Sequence, residues 1–526
     1  MLVSVLALVA LVHGAAVTAA PWLRADSHNF IVYSSGNSTQ LREYAGDLEK
    51  FNALLCKLFK VAPNPHPNRL TIYLLSGQEK VTAMAGDSQG SVAGFYRTDP
   101  MGTFAVGHHE DSVSHYDLSG QAVLLHEYAH HFMFHNSAFA YPTWYVEGFA
   151  EFVSSATFDA GGGWTLGRPL LYRAGSLLNY SAALPIAIVL TNESGGGDLF
   201  YGKAWLLVHM LRNTPARSRE FDSYLRTLAR GKSANEAAAE FGDLDKLERD
   251  LEHYMRSGLR YVRSTDPLAF DPTISLTTLD AVHGRLLELT IARRNSRDPV
   301  RTRDALARLA EANPALALAW LELALAEDQL AGTTASTDAG TTASDATTET
   351  KKQIIDTPAK AQAKAAARAT ARVAVDRALA IEAGLARAAI LKADLRANEL
   401  VANANRSPTA WREVRDLIIT ANRANTEDPV PLVRWYETFG HLGTRPDQAA
   451  RDGLTKAFLL EPEVPEVRIE LAFNLAAQGK FDEAIALVEY LARDPHGGKA
   501  GTAVLAQLQR MHDLAATLRS GAADNS

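Results

Sequence analysis

Residues 126–130 read His-Glu-Tyr-Ala-His. On a helix His126 and His130 stand one turn apart on a shared face, so both imidazoles can reach a single metal ion. Glu127 points about a quarter-turn away, where it can meet a water on that ion without ligating it. Such a trio suits hydrolysis, with a metal to activate water and a carboxylate to take its proton. Sixteen residues separate His130 from Glu147, which sits in Trp144-Tyr-Val-Glu-Gly-Phe-Ala-Glu151. Glu147 and Glu151 are spaced to share one helix face. A catalytic zinc takes three protein ligands and keeps one place open, and a second helix after a short loop can set Glu147 against the two histidines as the third, with Glu151 on the same face.

The elements that must position these groups are legible around them. Ser119 is an N-cap candidate, and Val123, Leu124, Ala129 and Phe132–Phe134 make the motif helix apolar enough to be buried. Asn136 and Ser137 supply its stop, and Pro142-Thr143 starts the helix bearing Glu147. Upstream, Phe30–Ser34 and Leu70–Leu75 read as strands flanking an amphipathic helix from Leu41 to Phe59. Ala156–Asp159 and Trp164–Gly167 form an expected hairpin through Gly161-Gly162-Gly163. Neither that glycine run nor Gly195-Gly196-Gly197 ends in the Lys-Ser/Thr of a phosphate loop, so both read as turns. His131 and His135 repeat the four-residue spacing without a glutamate between them and read as packing or surface residues. His108-His109-Glu110 follows a strand-like run from Thr103 to Gly107 and could line the cleft.

On these residues the chain resembles the gluzincin metallopeptidases, in which HExxH on one helix is completed by a glutamate from the next. The local likeness is to the peptidase MA-like group and, more distantly, to aminopeptidases with an Asn-Glu-Gly-Phe-Ala segment. Here Val146 replaces the asparagine of Val146-Glu147-Gly148-Phe149-Ala150, and the spacer to His130 is shorter than the aminopeptidase one. The segment Trp22–Tyr33 is similar to the first strand of peptidase MA-like proteins, so the resemblance spans residues 22 to about 260. It implies an α+β zincin-like domain holding one Zn²⁺ on His126, His130 and Glu147, with Glu127 as general base. It also implies an oxyanion donor downstream of the third ligand, assigned to Tyr201 in Asp198-Leu-Phe-Tyr201-Gly-Lys-Ala-Trp. The acid four residues after the ligand glutamate orients a ligand histidine in thermolysin-like members, which gives Glu151 that role. Endopeptidase action is favoured over aminopeptidase action, because no amine-anchoring acidic motif precedes His126.

A chain of 526 residues accommodates several domains, and a net charge of −7 offers no footprint for nucleic acid. A single cysteine, Cys56, excludes an internal disulfide and any cysteine-rich metal site; it reads as a small buried hydrophobe. Residues 1–20 read as a signal peptide lacking the usual leading Lys or Arg, which predicts a periplasmic or secreted protein, or membrane anchoring if the segment stays uncleaved. Residues 21–262 form the expected peptidase domain. From 263 to 526 alanine-rich helical periodicity takes over as an all-α, tetratricopeptide-like solenoid. Gly479, Ala484, Val488, Leu491 and Pro495 fit that repeat, and Ala450 and Ala457 precede Ala484 and Leu491 by one period of 34. Residues 331–352 are low-complexity and read as a disordered loop. The expected function is zinc-dependent hydrolysis of a peptide or protein substrate, with the repeats binding substrate or partner. The alternative is a non-catalytic repeat scaffold carrying a relic peptidase domain.

Overall fold

A computed structural model describes residues 21–526 except 64–67, 86–91, 99–101, 110–118, 138–139, 160, 192–195, 296–297, 333–357, 494–497 and 524–526. The expected signal segment, Glu110, Gly195, Pro495 and nearly all of the low-complexity run lie outside the described residues.

The strands are β1 (Leu23–Asp26), β2 (Phe30–Ser34), β3 (Leu70–Leu75), β4 (Phe95–Arg97), β5 (Phe104–His108), β6 (Thr157–Phe158), β7 (Trp164–Leu166), β8 (Val262–Ser264) and β9 (Ser275–Thr278). Six make one mixed sheet in the order β4-β5-β3-β2-β1-β9. Its centre is parallel, β2 beside β3 beside β5, and its outer pairs are antiparallel. The central strands are the apolar runs, as strands covered on both faces must be. β5 is buried at every position. The crossover from β2 to β3 is helix α1 (Ser38–Phe59), capped by Asn37, whose side chain accepts from the Gln40 amide. Buried Glu49 on α1 accepts 2.7 Å hydrogen bonds from the amide and the side chain of Asn29, pinning the β1–β2 turn. Cys56 is buried on this helix, and burial pushes its thiol pKa up.

The small sheet β6-β7-β8 contains the expected hairpin, closed by β8. The chain remains in the sheets past residue 262: β8 pairs with β7, and β9 pairs with β1 along the edge of the large sheet. After Thr278 the regular elements among the described residues are all helices. Helices then follow in antiparallel succession, including Ala317–Ala331, Gln448–Leu460, Pro465–Ala477 and Phe481–Ala492. Small buried residues, among them Ala450, Ala457, Ala472 and Ala484, let neighbouring helices approach closely.

This array touches the sheet-bearing part near both of its ends. Early in the array, Trp22 Nε1 donates to Glu288 at 3.3 Å, and Arg97 Nη1 donates to the carbonyl of Arg294 at 3.0 Å. Late in the array, the Tyr490 hydroxyl donates to the Ser137 carbonyl at 2.6 Å, and Arg493 donates to the Ala140 carbonyl at 2.7 Å. No helix among the described residues is long and apolar enough to cross a membrane.

Candidate metal centre

Three helices build the site, α3 (Gly120–Asn136), α4 (Thr143–Val153) and α5 (Leu171–Tyr180), while α2 (Gln78–Ala85) lies outside it. α3 starts where the sequence reading places it, with the Ser119 side chain accepting from the Ala122 amide at 3.1 Å. Gly120 matters here, since a Cβ on it would lie 2.7 Å from the His108 carbonyl oxygen at the end of β5. Its absence lets the helix seat against the sheet. His108 is accordingly buried beneath the helix start.

α4 presents the third candidate donor, Glu147, because it packs hard against the helix Asp198–Asn213. A Cβ on Gly148 would fall 2.5 Å from the Ala204 carbonyl oxygen, so only glycine permits this separation. Trp144, Tyr145 and Phe149 fill the space around α4. Trp144 Nε1 donates to the Tyr224 hydroxyl at 2.9 Å, and Arg212 donates to the Tyr145 hydroxyl at 2.8 Å. Glu147 therefore faces α3 from a rigid wall and is wholly buried.

The donors converge. His126 Nε2 lies 3.0 Å from His130 Nε2 and 3.2 Å from Glu147 Oε2, and His130 Nε2 lies 3.5 Å from that same oxygen. Metal–ligand bonds of about 2.0–2.1 Å in a tetrahedron set donors roughly 3.3–3.4 Å apart, so the triangle fits one ion. His126, with a side-chain exposure of 13 %, is the most open of the three and marks the accessible side. Burial would lower the pKa of His126, but Glu147, then Glu151 and Glu127, raise it to about 9. Burial would raise Glu147, yet His130 and His126 hold its carboxyl far below the usual range. The groups are thus arranged around positive charge, and a divalent ion would take the place of protons here.

No family model and no curated protein sequence matches the chain.

Glu151 does not join the triangle. It sits behind His126, with Oε1 3.9 Å from Nδ1, the ring nitrogen opposite the one facing Glu147. Two residues of α5 hold it there: Arg173 Nη2 at 2.5 Å and the Tyr172 hydroxyl, which donates at 2.8 Å. Arg173 also pairs with Asp198 and stacks over the ring of Tyr201, 5.1 Å from its centroid. Tyr201 is half-buried, and its phenol is pushed well up, first by burial and then by Glu147, so it remains a proton donor. Tyr172 and Arg173 are absent from the sequence reading. They follow Pro169 in a stretch without a motif, and the chain returns them to Glu151 only through the β6–β7 hairpin.

His131 and His135 are packed inside and not on the surface, because α3 is covered on that side by the helical array. Both side chains are nearly enclosed and meet Glu463, which follows helix Gln448–Leu460. Burial would raise Glu463, but His135 and then His131 hold it down at about 2.

Proposed function

We propose that the chain is a zinc-dependent peptidase of the gluzincin type. The observation carrying this reading is the triangle of His126 Nε2, His130 Nε2 and Glu147 Oε2, with sides of 3.0, 3.2 and 3.5 Å, beside a glutamate at 127. Two imidazoles and a carboxylate are a donor set that zinc favours, and three protein ligands leave one position for substrate. Support for the assignment also comes from Glu151, whose carboxylate lies 3.9 Å from His126 Nδ1, on the side where ligand histidines commonly face a carboxylate. The mixed sheet preceding the motif helix is compatible with a zincin-like domain.

Zinc bound here would lower the pKa of a water and polarise the scissile carbonyl. Glu127 takes a proton from the attacking water and returns it to the departing amine. Tyr201, kept protonated, donates to the carbonyl oxygen as it gains negative charge. Glu151, clamped by Arg173 and Tyr172, holds the His126 ring in the orientation that turns Nε2 toward Glu147. The helical array binds the protein substrate or a protein partner, as stacked helix pairs offer an extended surface. Endopeptidase action is the favoured specificity.

Metal removal tests this. Dialysis against a chelator should abolish cleavage of a quenched-fluorescent peptide library, and stoichiometric zinc should restore it. Cleavage that persists in metal-free protein would sink the proposal.

A further inference from the structure

The motif helix carries a second histidine pair. His131 and His135 follow His126 and His130 by five residues each, so they emerge from an adjoining strip of the helix, turned by about 140°. That strip faces the helical array. Glu463 enters between them, its Oε2 2.6 Å from His135 Nε2 and its Oε1 3.8 Å from His131 Nδ1. Side-chain exposure is 4 % for His135 and 6 % for His131, so water takes little part in solvating the group. The Tyr96 hydroxyl, 2.8 Å from His131 Nδ1, adds an oxygen donor. One candidate ligand atom from each of the three residues lies within 4.8 Å of the others.

A buried carboxylate needs compensating positive charge. The His131 and His135 rings, with centroids 4.5 Å apart, both turn a nitrogen toward that carboxylate, so one divalent ion can be shared by all three groups. The two nitrogen–oxygen separations, made to different carboxylate oxygens, lie on either side of the roughly 3.3–3.4 Å edge of a tetrahedral zinc site.

We propose that His131, His135 and Glu463 form a second, structural zinc site that fastens the helical array to the helix bearing His126 and His130. Its protein ligands come from two parts of the chain over 300 residues apart, His135 and Glu463. It adjoins the loop where Tyr490 and Arg493 grip the Ser137 and Ala140 carbonyls, so the ion would add to contacts holding α3 and α4 in register. The site stands whether or not the chain cleaves peptides, because it uses none of the residues assigned to hydrolysis.

Zinc content of the full chain, measured after loading and gel filtration, tests it. Wild type should carry two ions, His126→Ala/His130→Ala one, and Glu463→Gln one. Glu463→His removes the carboxylate but keeps a ligand, and should keep the second ion; circular dichroism checks folding of each variant. In the His126→Ala/His130→Ala background, zinc should still raise the melting temperature, and adding Glu463→Gln should remove that rise. A wild type with a single zinc that disappears with His126 and His130 overturns the proposal, as does a Glu463→Gln variant that retains both ions. Failure of the peptidase reading would appear elsewhere, as absent zinc-dependent cleavage with zinc counts unchanged.

Discussion

Glu151 shows how much a single residue's role depends on its neighbours. Its distance of four from Glu147 makes it a possible ligand on helical geometry alone, yet Arg173 and Tyr172 hold it against His126 Nδ1. A group that orients a ligand acts on metal affinity, whereas a transition-state donor acts on turnover. Glu151→Gln and Arg173→Met should therefore weaken zinc binding by about 10–100-fold in competition with a chelator. Tyr201→Phe should leave zinc content intact and reduce kcat by roughly 10²-fold or more. If Tyr201→Phe lost zinc while Glu151→Gln did not, the two roles would be misassigned. His126, His130 and Glu147 were legible because helical periodicity and one short loop bring them together. Tyr172, Arg173 and Glu463 were not, since their approach depends on tertiary folding that no local spacing records.

Among the elements, α4 depends on one close approach. With the Ala204 carbonyl 2.5 Å from any Cβ at position 148, Gly148→Ala must push α4 away from its neighbour or tilt it. Either movement carries Glu147 from the histidines. The expected result is a lower melting temperature and weakened zinc binding together; normal affinity at unchanged stability would show that the packing tolerates the methyl. Strands β2 and β3 were readable as apolar runs matching their observed bounds, and the serine cap at 119 and the stop near 137 were readable too. The segment Trp22–Tyr33, read as one first strand, is two antiparallel strands, β1 and the start of β2, and β4 and β9 carried no comparable signal. β9 is Ser-Leu-Thr-Thr at a sheet edge, largely exposed, and pairs with a strand some 250 residues earlier, as Leu23 opposite Thr278 shows. An edge strand needs little apolar patterning, so its pairing is written in the fold and not in its own composition.

For the molecule as a whole, the array is a brace against α3, the helix bearing His126 and His130. Its interior holds acids whose ionisation costs stability. Asp328, on the helix Ala317–Ala331, is pushed up to about 7 by burial and then by Asp394. The folded chain therefore keeps a proton that the unfolded chain releases near pH 4. Stability from this group is present at acid pH and is lost as pH rises through 7. Asp328→Asn should consequently raise the melting temperature at pH 8 and confer little at pH 5. Equal effects at both pH values would contradict this assignment. The helical class of this half was legible from alanine-rich periodicity, but its return onto α3 was not, because Tyr490 and Arg493 look like ordinary helix residues until the fold sets them against Ser137 and Ala140.

In the proposed mechanism Glu127 transfers the proton for hydrolysis beside a zinc held by His126, His130 and Glu147. The most direct measurement compares kcat/KM on a cleavable peptide for zinc-loaded wild type and Glu127→Gln, with metal content determined on the same samples. The expected outcome is unchanged zinc with kcat/KM reduced by about 10²–10⁴-fold. Full activity in the glutamine variant, or wild type that binds zinc and cleaves nothing, would contradict it.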